Sequence, residues 1–394
     1  MIKNIKINNY KCFKNFEIKD FKRINILVGD NNSGKTSLLE ALALLDPNTF
    51  KQKIDESKVS FSIASFKRKD DIIPHNAFEL FFKNIFKYFK KIFEDYSIFF
   101  NERNTEKSIC IEADFNSAKK DSKSDFVAKF ENKIINEIVD FPDHVTDYDS
   151  IELLQKPLLD FSKSILATYK FSNKKNLLKL GFSSIGTYND NVEGFDDFDV
   201  IFKKINERVD VVKNWTQIIN QNGVKIEEKF VKLLQNFDGD IEAIRANQHE
   251  LDFYKKNPEN KKSPFVVPLS SMGEGFKRFF DIVITLELMN KNNKPQILCI
   301  DEIDNGLYYD KQDLFWEQII KLCAEKNIQL FATTHSYDAI KSIVRVFENR
   351  YKTDEKIDEE LGVFRLVKIK NEVRVSPYNF SFLKVLAESS TEIR

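Results

Sequence analysis

The sequence predicts an α/β fold built on a largely parallel sheet with helices on its faces. Three observations carry that prediction. The stretch Gly29-Asp30-Asn31-Asn32-Ser33-Gly34-Lys35-Thr36 lies between an apolar run (Ile24, Ile26, Leu27, Val28) and a helix-forming run over 37–45. A second apolar run, Gln296 to Ile300, is short and continuous, as befits a strand covered on both faces. The succession strand 296–300, helix 311–326, strand 328–333 then demands a right-handed parallel crossover.

Composition narrows the class. A chain of 394 residues can bury a large core and form two lobes. Its 61 basic residues balance 61 acidic ones, so any surface for nucleic acid is a local patch. Cys12, Cys110, Cys299 and Cys323 are scattered, the last two inside apolar runs, and read as reduced core thiols. No apolar run approaches the roughly 18 residues of a membrane span. The N-terminus has no secretory apolar segment. The expectation is a cytoplasmic protein with no membrane partner. Glycine is scarce, and five of the 11 (Gly29, Gly34, Gly273, Gly275, Gly306) fall in the motifs below, where backbone geometry is needed.

The elements follow in order. Residues 1–28 read as short strands around Ile5 and Ile7, then Phe13 to Ile18, then Ile24 to Val28. The helix after the glycine loop ends near Asp46-Pro47. Phe81 to Phe93 reads as an amphipathic helix with Lys83, Lys87, Lys90 and Lys91 on its polar face. Residues 108–115 alternate as a strand for a side sheet, and 119–242 read as mostly helical. No heptad pattern persists long enough for a coiled-coil arm, and no internal repeat is present. Helix 270–289 precedes the strand–helix–strand unit, and 361–375 reads as a closing hairpin. The head domain is therefore expected over 1–50 and 240–394, with a mostly helical insertion over 51–239.

The glycine loop is a complete G-x-x-x-x-G-K-[ST] phosphate-binding loop in the strand–loop–helix context that gives the motif its meaning. Gly29, Asn31, Asn32, Ser33, Gly34, Lys35, Thr36 and Ser37 are the expected phosphate-side residues. Backbone N–H groups curl around phosphate oxygens, and the helix N-terminus adds partial positive charge. Lys35 is expected at the β- and γ-phosphates of ATP, and Thr36 on Mg²⁺. Asp301 and Glu302 end the strand 296–300 as two adjacent acids. Asp301 is expected to hold Mg²⁺ through water, and Glu302 to polarise the attacking water. Ser271-Met272-Gly273-Glu274-Gly275 lies one helix upstream. Ser271 with Glu274 fits a capping box; alternatively Ser271, Gly273 and Glu274 form a second anion site for the nucleotide of another subunit. Asp304 follows the acid pair, and His335 stands at the end of the next strand, where it can hydrogen-bond the γ-phosphate or the water.

The order of these motifs resembles the ABC-type ATPase heads. The strings Ser271-Met272-Gly273-Glu274-Gly275, Asp301-Glu302-Ile303-Asp304-Asn305-Gly306-Leu307 and Phe331-Ala332-Thr333-Thr334-His335-Ser336 are similar to bacterial AAA-family proteins of the OLD branch. That branch includes the ATPase subunit of PARIS-type anti-phage systems. The resemblance covers 1–45 and 240–394, and Ile244-Arg245 matches a pair ahead of the signature in this branch. Three departures stand out. Met272 and Glu274 replace a Gly and the Gln of the transporter signature, Tyr308 stands where many relatives have His, and no Q-loop glutamine is evident near Gln52.

The resemblance implies an ATPase head with a mixed sheet, flanking helices and an antiparallel side sheet. It implies ATP-sandwich dimers that hold or gate a separately encoded effector, a Toprim-type nuclease, against phage. Only 59 residues follow His335, too few for a nuclease domain of about 100 residues. The alternatives are a DNA-binding head similar to the RecF and SMC families, for which the lysine face would serve, and a nucleotide-gated scaffold with little turnover.

Overall fold

In the computed structural model, the described residues are 1–45, 109–116, 123–134, 163–171, 177–182, 187–190, 199–203, 211–259, 263–289 and 296–389. They form sixteen strands: β1 (Ile2–Tyr10), β2 (Phe13–Ile18), β3 (Ile24–Val28), β4 (Ile109–Asn116), β5 (Lys123–Ile134), β6 (Lys163–Phe171), β7 (Leu177–Phe182), β8 (Thr187–Asp190), β9 (Asp199–Lys203), β10 (Ile241–Ala246), β11 (Leu251–Lys255), β12 (Phe265–Pro268), β13 (Gln296–Ile300), β14 (Ile328–Thr333), β15 (Leu361–Ile369) and β16 (Glu372–Tyr378). The helices are α1 (Lys35–Ala43), α2 (Val211–Asn222), α3 (Val224–Leu234), α4 (Glu274–Leu288), α5 (Tyr309–Glu325), α6 (Tyr337–Arg350), α7 (Asp354–Glu360) and α8 (Phe380–Glu388).

The central sheet has the order β16-β15-β3-β14-β13-β9. Five of its strands run parallel, and β16 closes one edge antiparallel. Because side chains alternate across a strand, each parallel strand feeds two cores. Ile24, Ile26 and Val28 face one core with Leu298, Ile300, Leu330 and Ala332, while Leu27, Ile297, Cys299 and Phe331 face the other. The first core is covered by α2, α3, α4, α5 and α6, with Trp215, Phe230 and Phe280 in edge contacts. In the second, α1 packs through Leu38, Leu39 and Leu42 beneath β1, β2 and β4.

Two buried amides stitch the sheets together, since a polar group in a dry core must be bonded. Gln329 accepts from Ile2 N–H at 2.7 Å and donates to the Ile2 and Lys22 carbonyls at 2.8 Å each. Asn25 donates to Lys22 O and Leu330 O and accepts from Lys22 N–H. These bonds fix β1 and the approach to β3, and hence the entry of the phosphate loop. None of the four cysteines is in a disulfide, and burial pushes the Cys323 thiol up to about 12.

The antiparallel side sheet is larger than expected, with order β2-β1-β4-β5-β6-β7-β8. The described residues of 51–239, where a mostly helical insertion was expected, include strands as well as helices. Among the described residues of that interval, β4 to β8 extend the side sheet, and β9 joins the central sheet beside β13. In the same interval α2 and α3 contribute Trp215, Ile218, Phe230 and Leu234 to the head core. The expected helix 81–93, its lysines and Gln52 lie outside the described residues.

Candidate nucleotide site

Three parallel neighbours, β3, β14 and β13, end at the same edge of the sheet. Their C-terminal ends carry the phosphate loop, His335 and the Asp301–Glu302 pair, the place where open α/β sheets bind ligands. The loop is held by its glycines. At Gly29 (φ +137°) a Cβ would lie 2.1 Å from the Leu366 carbonyl oxygen; at Gly34 (φ +100°) it would lie 2.9 Å from Cys12 Sγ. Gly34 is the N-cap of α1, and no side chain caps the helix there, so the first N–H groups of α1 remain for an anion.

Asp30, Asn31, Asn32 and Thr36 are exposed, whereas Ser33 and Lys35 are buried. Lys35 Nζ donates to the Gly29 and Asp30 carbonyls at 2.7 and 2.8 Å, and burial holds its pKa below the ordinary lysine value. Ser33 Oγ is buried without a hydrogen-bond partner among the described residues, an orphan group that suits a phosphate oxygen. Ser37 lies beside Cys12, whose thiol is raised by burial and lowered in part by a hydrogen bond with Ser37.

Thr36 Oγ1 donates to Asp301 Oδ2 at 2.9 Å. This convergence of a hydroxyl and a carboxylate fits Mg²⁺, a hard ion that takes one or two protein oxygens and completes its shell with phosphate and water. Among the described residues no cluster of three or more His, Cys, Asp or Glu offers a self-sufficient metal site.

Glu302 adopts φ +47°, which turns its side chain out of the line of β13. Asp304 is half-buried; burial raises its pKa, opposed by a hydrogen bond with Thr334. His335 is exposed at the end of β14, and burial followed by the charge of Lys35 lowers its pKa. That direction favours the neutral imidazole, which is able both to donate and to accept.

The signature segment is built differently from its capping-box reading. Leu269–Ser271 forms a 3₁₀ turn, Gly273 is the N-cap of α4, and no side chain caps it. Ser271 and Glu274 therefore do not form the reciprocal pair; Glu274 binds Lys277 at 2.8 Å instead. Ser271, Gly273 and Glu274 are exposed, and nothing lies within 4 Å of a Cβ built at Gly273. Gly275, in contrast, packs against Gly306 and Leu307, which seats the signature turn on the loop after the acid pair.

Two residues that the sequence did not single out complete the frame. Arg278 of α4 donates to Asp301 O at 2.8 Å and reaches Glu302 O at 3.5 Å. The Thr333 hydroxyl donates to Asp301 Oδ1 at 2.6 Å and accepts from Glu302 N–H at 2.7 Å. The only signal for either was the motif-bearing helix or string that contains it. Arg245, in contrast, pairs with Glu227.

Comparison with known proteins gives the family. The model of the AAA ATPase domain family matches residues 1–340. An ATP/GTP phosphatase of Helicobacter pylori is 26% identical over 375 residues, 89% of each chain. The DNA replication and repair protein RecF of Rickettsia rickettsii is 23% identical over 376 residues, 86% of this chain and 95% of RecF. Among solved structures, the SMC head domain from Thermotoga maritima aligns over 96% of this chain and 99% of its own, at 12% identity and a TM-score of 0.45. The chain belongs to the AAA ATPase domain family and is an ATPase.

Proposed function

We propose that this ATPase uses ATP and Mg²⁺ as the joint between two copies of itself. One copy supplies the phosphate loop, Asp301, Glu302 and His335, and the other supplies Ser271, Gly273 and Glu274. The observation that carries this reading is the exposed N-terminus of α4, a 15-residue helix with no side-chain cap and open space at Gly273. Such a terminus attracts an anion, and the loop of the same chain already holds one end of the nucleotide.

Within each composite site, Lys35 and the loop N–H groups, with Ser33 and Ser37, bind phosphate, and Asn31 and Asn32 flank it. Thr36 and Asp301 hold Mg²⁺, which when bound neutralises charge on the β- and γ-oxygens. Glu302 orients the attacking water and receives its proton. Neutral His335 hydrogen-bonds the γ-phosphate, and Asp304 faces the partner across the closed dimer.

In this reading closure gates a separately encoded effector, a Toprim-type nuclease, in cytoplasmic anti-phage defence. Its support is the OLD-like form of the three strings around Ser271, Asp301 and His335. A second reading, a RecF-like head that binds DNA on closure, is favoured by RecF relatives that span 86% of the chain. The test is Glu302→Gln with ATP and Mg²⁺. We expect a stable dimer in sedimentation velocity with turnover lost; a monomer at saturating ATP overturns the sandwich. Salt-sensitive DNA binding by that dimer selects the second reading, and nuclease capture without DNA binding selects the first.

A further inference from the structure

We propose that Thr333 is a positioning residue for hydrolysis, acting as a clamp on the Asp301–Glu302 turn; this rests on Glu302 being the residue that activates water. Thr333 ends β14, the strand that pairs in parallel with β13 up to Ile300 and Ala332. It is completely buried. Its one hydroxyl works in both directions, accepting from Glu302 N–H at 2.7 Å and donating to Asp301 Oδ1 at 2.6 Å. Its carbonyl accepts from Ile303 N–H at 3.1 Å. Residues 301, 302 and 303 are thus all referenced to one residue of the neighbouring strand.

That reference matters because Glu302 stands at φ +47°. A residue with a side chain keeps the left-handed conformation only where its surroundings over-determine it. The Thr333 hydroxyl holds the Glu302 amide in that turn. It also occupies Asp301 Oδ1, so that Oδ2 is the oxygen presented to Thr36 Oγ1 at 2.9 Å. One hydroxyl therefore sets the direction of the Glu302 side chain and the division of labour between the two Asp301 oxygens. Valine would match threonine in shape but leave the Glu302 N–H and Asp301 Oδ1 without this partner in a part-buried site. Serine would keep both bonds and lose only a methyl group.

The test compares Thr333→Val, Thr333→Ser and Glu302→Gln in the full chain. For Thr333→Val we expect turnover to fall about 10- to 100-fold, the scale of a reacting group misplaced by about 1 Å. Its nucleotide affinity, titrated without Mg²⁺, should stay within about threefold of wild type, since phosphate binding rests on other residues. Amide exchange over residues 300–306, followed by mass spectrometry in nucleotide-free protein, should rise in the valine variant. The serine variant should restore both turnover and protection. If the valine variant turns over at the wild-type rate while Glu302→Gln is inactive, the clamp is refuted and Glu302 keeps its role. If Glu302→Gln itself turns over at the wild-type rate, the reading of Glu302 fails and the clamp with it. If the valine variant loses nucleotide binding as much as turnover and serine does not rescue, Thr333 serves the fold and the proposal is overturned.

Discussion

Replacing Gly275 with alanine tests how the signature turn is seated. The added Cβ would lie 2.6 Å from the Gly306 carbonyl oxygen and 3.2 Å from the Leu307 Cα, both backbone atoms. Ordinary contact begins near 3.4 Å, so the first turn of α4 or the 304–307 loop must move by about 0.8 Å. Overpacking of this kind costs about 1–3 kcal/mol. Alanine recovers up to about 1 kcal/mol of helix propensity, and less at a first-turn position. The clash wins, with a net loss of about 1–2 kcal/mol and a fall in Tm of about 1–2 °C. Gly273→Ala is the matched control, with nothing within 4 Å of its Cβ and an ordinary φ of −61°. It should change Tm little, because alanine restricts the unfolded chain but is a poorer N-cap than glycine. Its methyl would stand on the surface offered to the neighbour's phosphate, so ATP-dependent association should weaken about tenfold, or 1.4 kcal/mol. Differential scanning calorimetry and sedimentation velocity read the two effects separately. A Gly275→Ala protein as stable as wild type, or a Gly273→Ala protein destabilised as much as it, would refute the seating of α4 on the loop.

Two further predictions concern the frame around the site. Glu287 of α4 bonds Lys229 of α3 at 2.7 Å and Lys326 after α5 at 2.8 Å, and these partners outweigh burial to depress its pKa. A depressed carboxylate contributes stability above its unfolded pKa and loses it as pH falls through the folded value. Glu287→Gln should therefore cost about 1–3 kcal/mol at pH 7, and urea titrations should show the difference shrinking below about pH 4.5; a pH-independent difference would contradict this. Arg278→Met keeps the aliphatic volume but removes the donor to the Asp301 carbonyl. Loss of that charged hydrogen bond should cost about 1.5–3 kcal/mol, and an unchanged midpoint of urea unfolding would remove Arg278 from the frame.

What could be read in advance was local. The loop 29–36 is legible because its glycines and flanking apolar strand are contiguous, and the 296–300 strand announces itself as a short, nearly continuous apolar run. The side sheet was misread for a specific reason. In β5, Phe126, Phe130 and Ile134 recur every four residues, a spacing that satisfies one face of a helix and one face of a strand alike. β9 was missed because its partner β13 begins about a hundred positions later, and such long-range pairing leaves little trace in five residues. The capping alternative for Ser271 arose because the spacing to Glu274 is right, but the 3₁₀ turn at 269–271 puts the N-cap of α4 at Gly273, two residues past it. Thr333 and Arg278 could not be assigned from sequence at all. Their roles depend on which atoms of Asp301 and Glu302 they meet across strands and helices.

The central claim is that each site is shared between two copies. Its most direct measurement mixes two variants inactive for opposite reasons. Lys35→Ala lacks the phosphate lysine, and Ser271→Arg blocks the surface offered to the partner. In a shared site, a mixed pair has one composite site that joins an intact Lys35 to an intact Ser271. Random exchange should then restore ATP turnover to roughly a quarter of wild type, because half the pairs are mixed and each holds one intact site of two. If each chain instead completes its own site, the mixture stays as inactive as its components, and the shared-site account is contradicted.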